Sequence, residues 1–196
     1  LAPFNVRECI TDFDSATGKR KVLGYKGDSN WAELVAANTY NATTNPTPTG
    51  DRMIEFPKFY YKRPQRYEWL ISPDPVDGFL PSPMHFRNGT LHDTVRISKY
   101  ALSNYRSWQN VAPQAGLQVL DYVINTQKRG QYNIDYAATQ SLVMLIMVKY
   151  ANMDIESVLG DSAASVNGQN ENLLGLDGKG TNVSIFGIDS WLGQWA

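Results

Sequence analysis

Gly50-Asp-Arg-Met-Ile-Glu-Phe-Pro-Lys-Phe-Tyr-Tyr-Lys62 reads as a strand rich in aromatics, running from Met53 to Lys62. Pro57 inside it has no N–H for a ladder, which predicts an edge position or a bulge. Gln65 to Ser72 reads as its antiparallel partner, with Tyr67, Trp69 and Ile71 on one face at period two. Upstream, residues 5–25 read as a hairpin. Val6, Cys9 and Ile10 lie in its first strand, Asp14 to Gly18 supplies the turn, and Lys21 to Tyr25 returns. Asn30 to Asn38 fits a short helix capped by Asp28 or Ser29. Asn38 to Gly50 is polar, holds Pro46 and Pro48, and reads as an exposed loop and linker.

Downstream, Pro73 to Gly78 is a turn cluster and Pro81 to Asn88 a loop. Asn88-Gly89 is a hairpin-type turn into a strand over Thr94 to Tyr100. From Pro113 the pattern becomes helical: Leu117, Leu120 and Ile124 share a stripe, and Gly130 stands past the end. A second helix runs from Ile134 or Asp135 to Ala151. Its middle is apolar all round, which implies burial on more than one side. Thr181 to Ile188 is the last strand candidate. Strands followed by helices, without βαβ alternation or internal repeat, predict an α+β fold.

Composition narrows the function classes. The chain has 196 residues, 18 basic and 19 acidic side chains, and one cysteine. That length suits one domain with or without a small appendage. The balanced charge and lack of a basic tract argue against nucleic-acid binding. Cys9 alone excludes an internal disulfide and a multi-cysteine metal site. The longest apolar run, Leu142 to Val148, is too short to span a bilayer, so no membrane insertion is expected. Leu1 in place of Met, and an ending at Ala196, give the expectation of a processed chain or a piece of a longer one.

The order of landmarks resembles the C-type-lectin-like domain found in many bacteriophage tail and fibre proteins, a relative of the formylglycine-generating enzymes. The strand at 50–62 is followed by Gly78 to Gly89, then Val95 to Tyr100, as in that family. Tyr136 to Tyr150 is similar to its second helix, and Phe186-Gly-Ile-Asp-Ser-Trp-Leu-Gly-Gln-Trp195 to its closing tryptophan-rich segment. The resemblance covers most of 50–196 and leaves 1–49 as lead-in strands and linker. It departs from the family at Lys149, where Glu is frequent, and at Ala196, where members continue.

The resemblance implies a C-type-lectin-like fold: two helices, small antiparallel sheets and long irregular loops. It implies a non-enzymatic virion protein of tail fibre, tail tip or head decoration, without a cofactor. Such a module would meet other virion proteins and bind a host-surface glycan or protein through loops. It would form a homo-oligomer, a trimer by resemblance. The location would be the virion, with the bacterial cell surface as the alternative. Two other readings stay open: a purely structural assembly protein, and a metal-dependent enzyme of the formylglycine-generating group.

The residues themselves offer few chemical constellations. No Gly-X-Ser-X-Gly elbow occurs, and the calcium-lectin triplets Glu-Pro-Asn and Gln-Pro-Asp are missing. His85, His92 and Asp93 are the weak metal candidates, since two imidazoles need a third converging ligand. Aromatics are the more suggestive population. Phe56, Phe59 and Trp69 are expected to pack the sheet, and Trp191 and Trp195 to be core. Tyr105 and Trp108 lie in a polar irregular stretch, with Asn104, Arg106 and Gln109 beside them. These five are the binding candidates; exposed stacking and buried anchoring both remain open for the two rings.

Overall fold

The computed structural model describes residues 5–87, 89–100, 102–111, 118–131, 134–153 and 184–189. The expected lead hairpin forms from β1 (Arg7–Asp14) and β2 (Lys19–Tyr25), antiparallel, with Asp14 opposite Lys19. Its turn is held by the Asp14 carboxylate, which accepts from Ala16 N at 2.9 Å and Thr17 Oγ1 at 2.8 Å. The short helix α1 (Trp31–Asn38) lies close on β2. A Cβ at Gly24 would stand 2.7 Å from Leu34 Cδ1, so glycine there permits the approach.

Strands β3 (Asp51–Pro57) and β9 (Thr94–Ser98) complete a four-stranded sheet in the order β2-β1-β3-β9. This corrects the edge reading of the aromatic strand. β3 is interior, and every residue from Asp51 to Phe56 is buried. Pro57 does not interrupt it because it is the last residue, where a missing donor costs least. The run to Lys62 is therefore two strands. It resumes as β4 (Tyr60–Gln65), which pairs antiparallel with β5 (Glu68–Ser72), the partner expected, and with β6 (Leu80–Pro81). A 3-10 turn, Pro83–His85, leads into the small hairpin β7 (Phe86–Arg87) and β8 (Thr90–Leu91).

The helices divide between expectation and surprise. In α2 (Val119–Gln127) the anticipated stripe faces water: Leu120 is 68% and Ile124 41% exposed. The helix turns Thr126 inward instead and half-buries Tyr122 and Val123. Leu117 and Pro113 lie outside the described residues. Helix α3 (Tyr136–Tyr150) starts as the sequence indicates, with Asp135 accepting from Ala138 N at 2.9 Å. It packs against the 3-10 turn and β5. Leu142, Met144, Leu145 and Ile146 are all buried, so consecutive side chains meet protein on more than one face. Ser141 Oγ accepts from Ser82 Oγ at 2.9 Å and Met84 N at 3.1 Å, tying the helix to that turn.

The last strand candidate is two strands. β10 (Ser184–Ile185) and β11 (Ile188–Asp189) are antiparallel, joined by Phe186 at φ 54° and Gly187 at φ 86°. Two successive left-handed residues make a tight hairpin turn where a continuous strand was expected. Trp191 and Trp195 lie outside the described residues. Altogether the fold is α+β, with helices beside several small antiparallel sheets. No described helix is long and apolar enough to cross a membrane.

The chain divides into two compact units. One holds Glu55–Arg96 with α3; the other holds Arg7–Ile54 with Ile97–Asn133. Asn38 to Gly50 belongs to the latter and is no free tether: Asn38, Pro48 and Gly50 are buried, while most of 41–47 is exposed.

The end of α3 yields a test. Ala151 closes it in the left-handed region at φ 50°, where its Cβ is strained, and its side chain is exposed. Ala151→Gly should raise unfolding stability by about 0.5 kcal/mol, after the larger entropy of an unfolded glycine is subtracted. Chemical denaturation measures it, and a destabilised variant would contradict the cap.

Candidate functional site

The irregular stretch 102–111 is held by a buried carboxylate at the head of β3. Asp51 is 1% exposed. Its Oδ1 accepts from Arg106 Nε at 2.9 Å and from the backbone N of Ser107 at 2.9 Å. Its Oδ2 takes the guanidinium of Arg20. Arg20 also donates to Thr11 Oγ1 at 3.1 Å and to the carbonyl of Arg129 at 2.9 Å. Arg106 reaches on to Asp12 at 3.3 Å. Ser107 Oγ, fully buried, donates to Arg52 O at 2.7 Å and accepts from Tyr100 N at 3.1 Å.

A second ionic group starts from Arg52, the next residue of the strand. Consecutive strand residues point to opposite faces, so Arg52 leaves Asp51 behind. It pairs with Glu8, donates to Tyr100 Oη at 3.0 Å and bonds Gln109 Oε1. Lys99 and Lys26 stand 3.3 and 3.7 Å from Glu8. Burial alone would raise the Glu8 carboxyl. The charges of Arg52 and Lys99, and their hydrogen bonds, outweigh it and hold the pKa below its ordinary value.

These contacts sort the binding candidates. Trp108 is 7% exposed and donates from Nε1 to Gly50 O at 3.1 Å, so it is a buried anchor and no stacking surface. Arg106 turns inward to Asp51 and Asp12, and Gln109 inward to Arg52. Asn104 reaches solvent and Tyr105 does so only in part, and they sit at φ 48° and 60°. Tyr105 rests on Tyr122 of α2, ring centroids 6.0 Å apart at 51°. Asn110, at φ 63°, is a third left-handed non-glycine residue of the segment. Non-glycine residues in that region are strained and persist only where surrounding contacts over-determine them. Sequence reading missed Asp51, Arg20 and Tyr122. The visible signal was Asp51-Arg52 heading an otherwise apolar strand, a place where charge demands partners.

The weak metal candidates have other engagements. His85 is fully buried, and its Nε2 donates to Phe56 O at 3.3 Å, with Phe59 edge-on at 5.5 Å. His92 is exposed and meets His85 through the backbone, N to O, at 2.8 Å. Asp93 pairs with Lys58 at 2.6 Å. Among the described residues no three metal-ligating side chains converge. Phe56 and Phe59 are core as expected, and Trp69 is half-buried against Tyr61.

No family model, no curated protein and no solved structure matches the chain.

Two tests follow from these contacts. Asp51→Asn strips the charge that both arginines share and should lower unfolding stability by about 3 kcal/mol, read by chemical denaturation. An unchanged midpoint would mean that Asp51 does not hold the segment. Second, burial lowers the pKa of His85 from 6.5 to about 4, the Phe56 carbonyl opposing it only in part. The unfolded chain then binds a proton that the folded chain refuses. Stability is full above about pH 6.5 and falls by up to about 3 kcal/mol as pH drops to about 4. Glu8, with an ordinary value of 4.5 and a lowered folded one, adds its own loss only below about pH 4.5, so the range above that reports the imidazole. Denaturant midpoints flat between pH 6.5 and 4.5 would refute the buried neutral imidazole.

Proposed function

We propose that the chain is a C-type-lectin-like module of a bacteriophage virion that binds a host-surface glycan or protein and performs no catalysis. One observation carries this reading. The segment 102–111 is anchored from beneath by Asp51, Arg52, Ser107 and Trp108, and through left-handed backbone it leaves Asn104 exposed and Tyr105 partly so. A rigid base under a part-exposed aromatic and an amide is a pre-organised contact, since little freedom is lost on binding. Tyrosine offers a flat apolar face and a polar tip, and asparagine a donor and an acceptor, which together suit a neutral sugar ring or a polar protein surface.

The placement within a tail fibre, tail tip or head decoration comes from the resemblance of 50–196 to the phage tail family. So does a homo-oligomer, whose repeated weak contacts would add avidity.

A second reading, assembly with other virion proteins, is favoured by a different observation. The unit built on Glu55–Arg96 and α3 exposes Tyr67, Leu80, Phe86 and Tyr136, large apolar side chains that suit docking.

Whole-cell and glycan-array binding of the purified chain tests the first reading. Wild type should bind, and Tyr105→Ala should weaken binding about tenfold, or about 1.4 kcal/mol. Undiminished binding by the variant would remove this segment as the contact. Absence of binding by wild type would leave the assembly reading in possession.

A further inference from the structure

The β4–β5 hairpin ends in charge that its own unit does not compensate. Elsewhere in that unit Arg87 reaches Asp135 and Arg96 reaches Glu55. Arg63 and Arg66 are exposed and reach no carboxylate among the described residues. Glu68 is the acidic residue closest to them in sequence, and it lies on the other face of the hairpin. Lys62 stands opposite Leu70, and side chains alternate along each strand. Glu68, Leu70 and Lys62 therefore share one face, while Tyr61, Arg63 and Trp69 share the opposite one. Asp74 and Asp77 come only beyond the far end of β5.

Both guanidiniums are held in place. Gln65 pairs with Glu68, which leaves Arg66 and Tyr67 as a two-residue turn. Arg63 closes that turn: its Nε donates to the Arg66 carbonyl at 3.1 Å, and its Nη2 donates to the same oxygen. The Arg63 guanidinium lies over the Trp69 ring at 5.0 Å, and that of Arg66 over the Tyr67 ring at 5.2 Å. A guanidinium carries five N–H groups, so the outer edge of Arg63 keeps donors for a further acceptor.

An apolar row continues from this charge. Tyr61 stands opposite both Ile71 and Leu80, and its ring centroid is 6.0 Å from that of Trp69. Arg63 is two residues along the same strand, a rise of about 7 Å. Leu80 is 61% exposed, and Tyr67 in the turn is 69% exposed. Arginine and aromatic rings beside an exposed leucine match the centre of a protein interface, which is enriched in Arg, Tyr and Trp and depleted in Lys and Glu.

We propose that the tip of the β4–β5 hairpin docks on an acidic protein surface, Arg63 and Arg66 engaging its carboxylates and Tyr67 and Leu80 its apolar side chains. A guanidinium fork matches a carboxylate with two parallel hydrogen bonds, and uncompensated positive charge selects a negative partner. The inference rests on the assembly reading above and gives it one surface and the charge of its partner.

The test uses two synthetic peptides, one of Asp, Glu and Leu, the other with Asn and Gln in place of the carboxylates. Each is titrated into the isotope-labelled whole chain at low salt, and NMR follows the Arg63 and Arg66 Nε–H groups and the Trp69 indole. The acidic peptide should shift these signals and bind about tenfold more tightly than its amide counterpart, and added salt should shrink the difference. Arg63→Gln with Arg66→Gln should abolish the preference, and the two lysine variants should keep part of it. Equal binding of both peptides at the hairpin overturns the acidic partner and leaves apolar docking standing. Binding of neither overturns the hairpin as the docking surface, while Phe86 and Tyr136 still support the assembly reading. Charge-dependent shifts confined to other residues overturn the hairpin as well. Polygalacturonate bound there as tightly as the acidic peptide would make the occupant an acidic glycan and overturn the protein partner.

Discussion

A buried carboxylate governs the unit around β3. Asp51 is out of water, and an ionised group in such a place is tolerable only when donors surround it. Three of them do: two guanidiniums and a backbone N–H. They come from segments far apart in sequence. Arg20 belongs to the lead hairpin, and Arg106 with Ser107 to the irregular stretch. The carboxylate therefore makes the positions of these segments mutually dependent. If one donor leaves, the remaining groups are left charged, buried and incompletely paired. Such a centre contributes less net stability than its short contacts suggest, because desolvation cancels much of the attraction. What it supplies is a defined arrangement of backbone that has little regular structure to hold it.

Arg52 repeats the device on the opposite face of the strand. Glu8, Tyr100 and Gln109 surround it, and the Trp31 ring lies 5.6 Å from its guanidinium. The sheet is thus flanked at the same level by two ionic groups, each holding part of 102–111. Gln109 is held by its side chain and, through the backbone, by Tyr40 N at 2.9 Å. A segment fixed at Arg106, Ser107, Trp108 and Gln109 has little freedom left for its outer residues.

The sequence made the regular elements legible where the signal was local. The β1–β2 hairpin follows from its turn residues, and α3 from Asp135 and an apolar run. It misled where a local signal had a distant answer. Pro57 suggests an edge, yet the strand ends there and is interior, because β1 and β9 arrive from 40 residues away on either side. Leu120 and Ile124 make a stripe that the packing ignores. Phe186, Ala151 and Tyr105 adopt positive φ without being glycine, and nothing in residue type announces that. The ionic groups escaped for the same reason. Asp51 pairs across 31 and 55 positions, far beyond any spacing rule.

The two rings of the irregular stretch show how backbone conformation decides which aromatic is available. Composition treats Tyr105 and Trp108 alike: both are large, amphipathic and set among polar residues. Trp108, next to the buried Ser107, finds an acceptor in Gly50 O, so its indole is satisfied inside. Tyr105 follows Asn104 in left-handed backbone, which reverses the direction a side chain would otherwise take. Each left-handed non-glycine residue costs about 1–2 kcal/mol. Glycine at 104 and 105 would close the same turn without that cost. The Asp51 centre, which fixes Arg106 and Ser107 directly after this turn, is what makes the strain sustainable. The half-exposed ring of Tyr105 thus sits directly before a residue, Arg106, that the buried carboxylate holds.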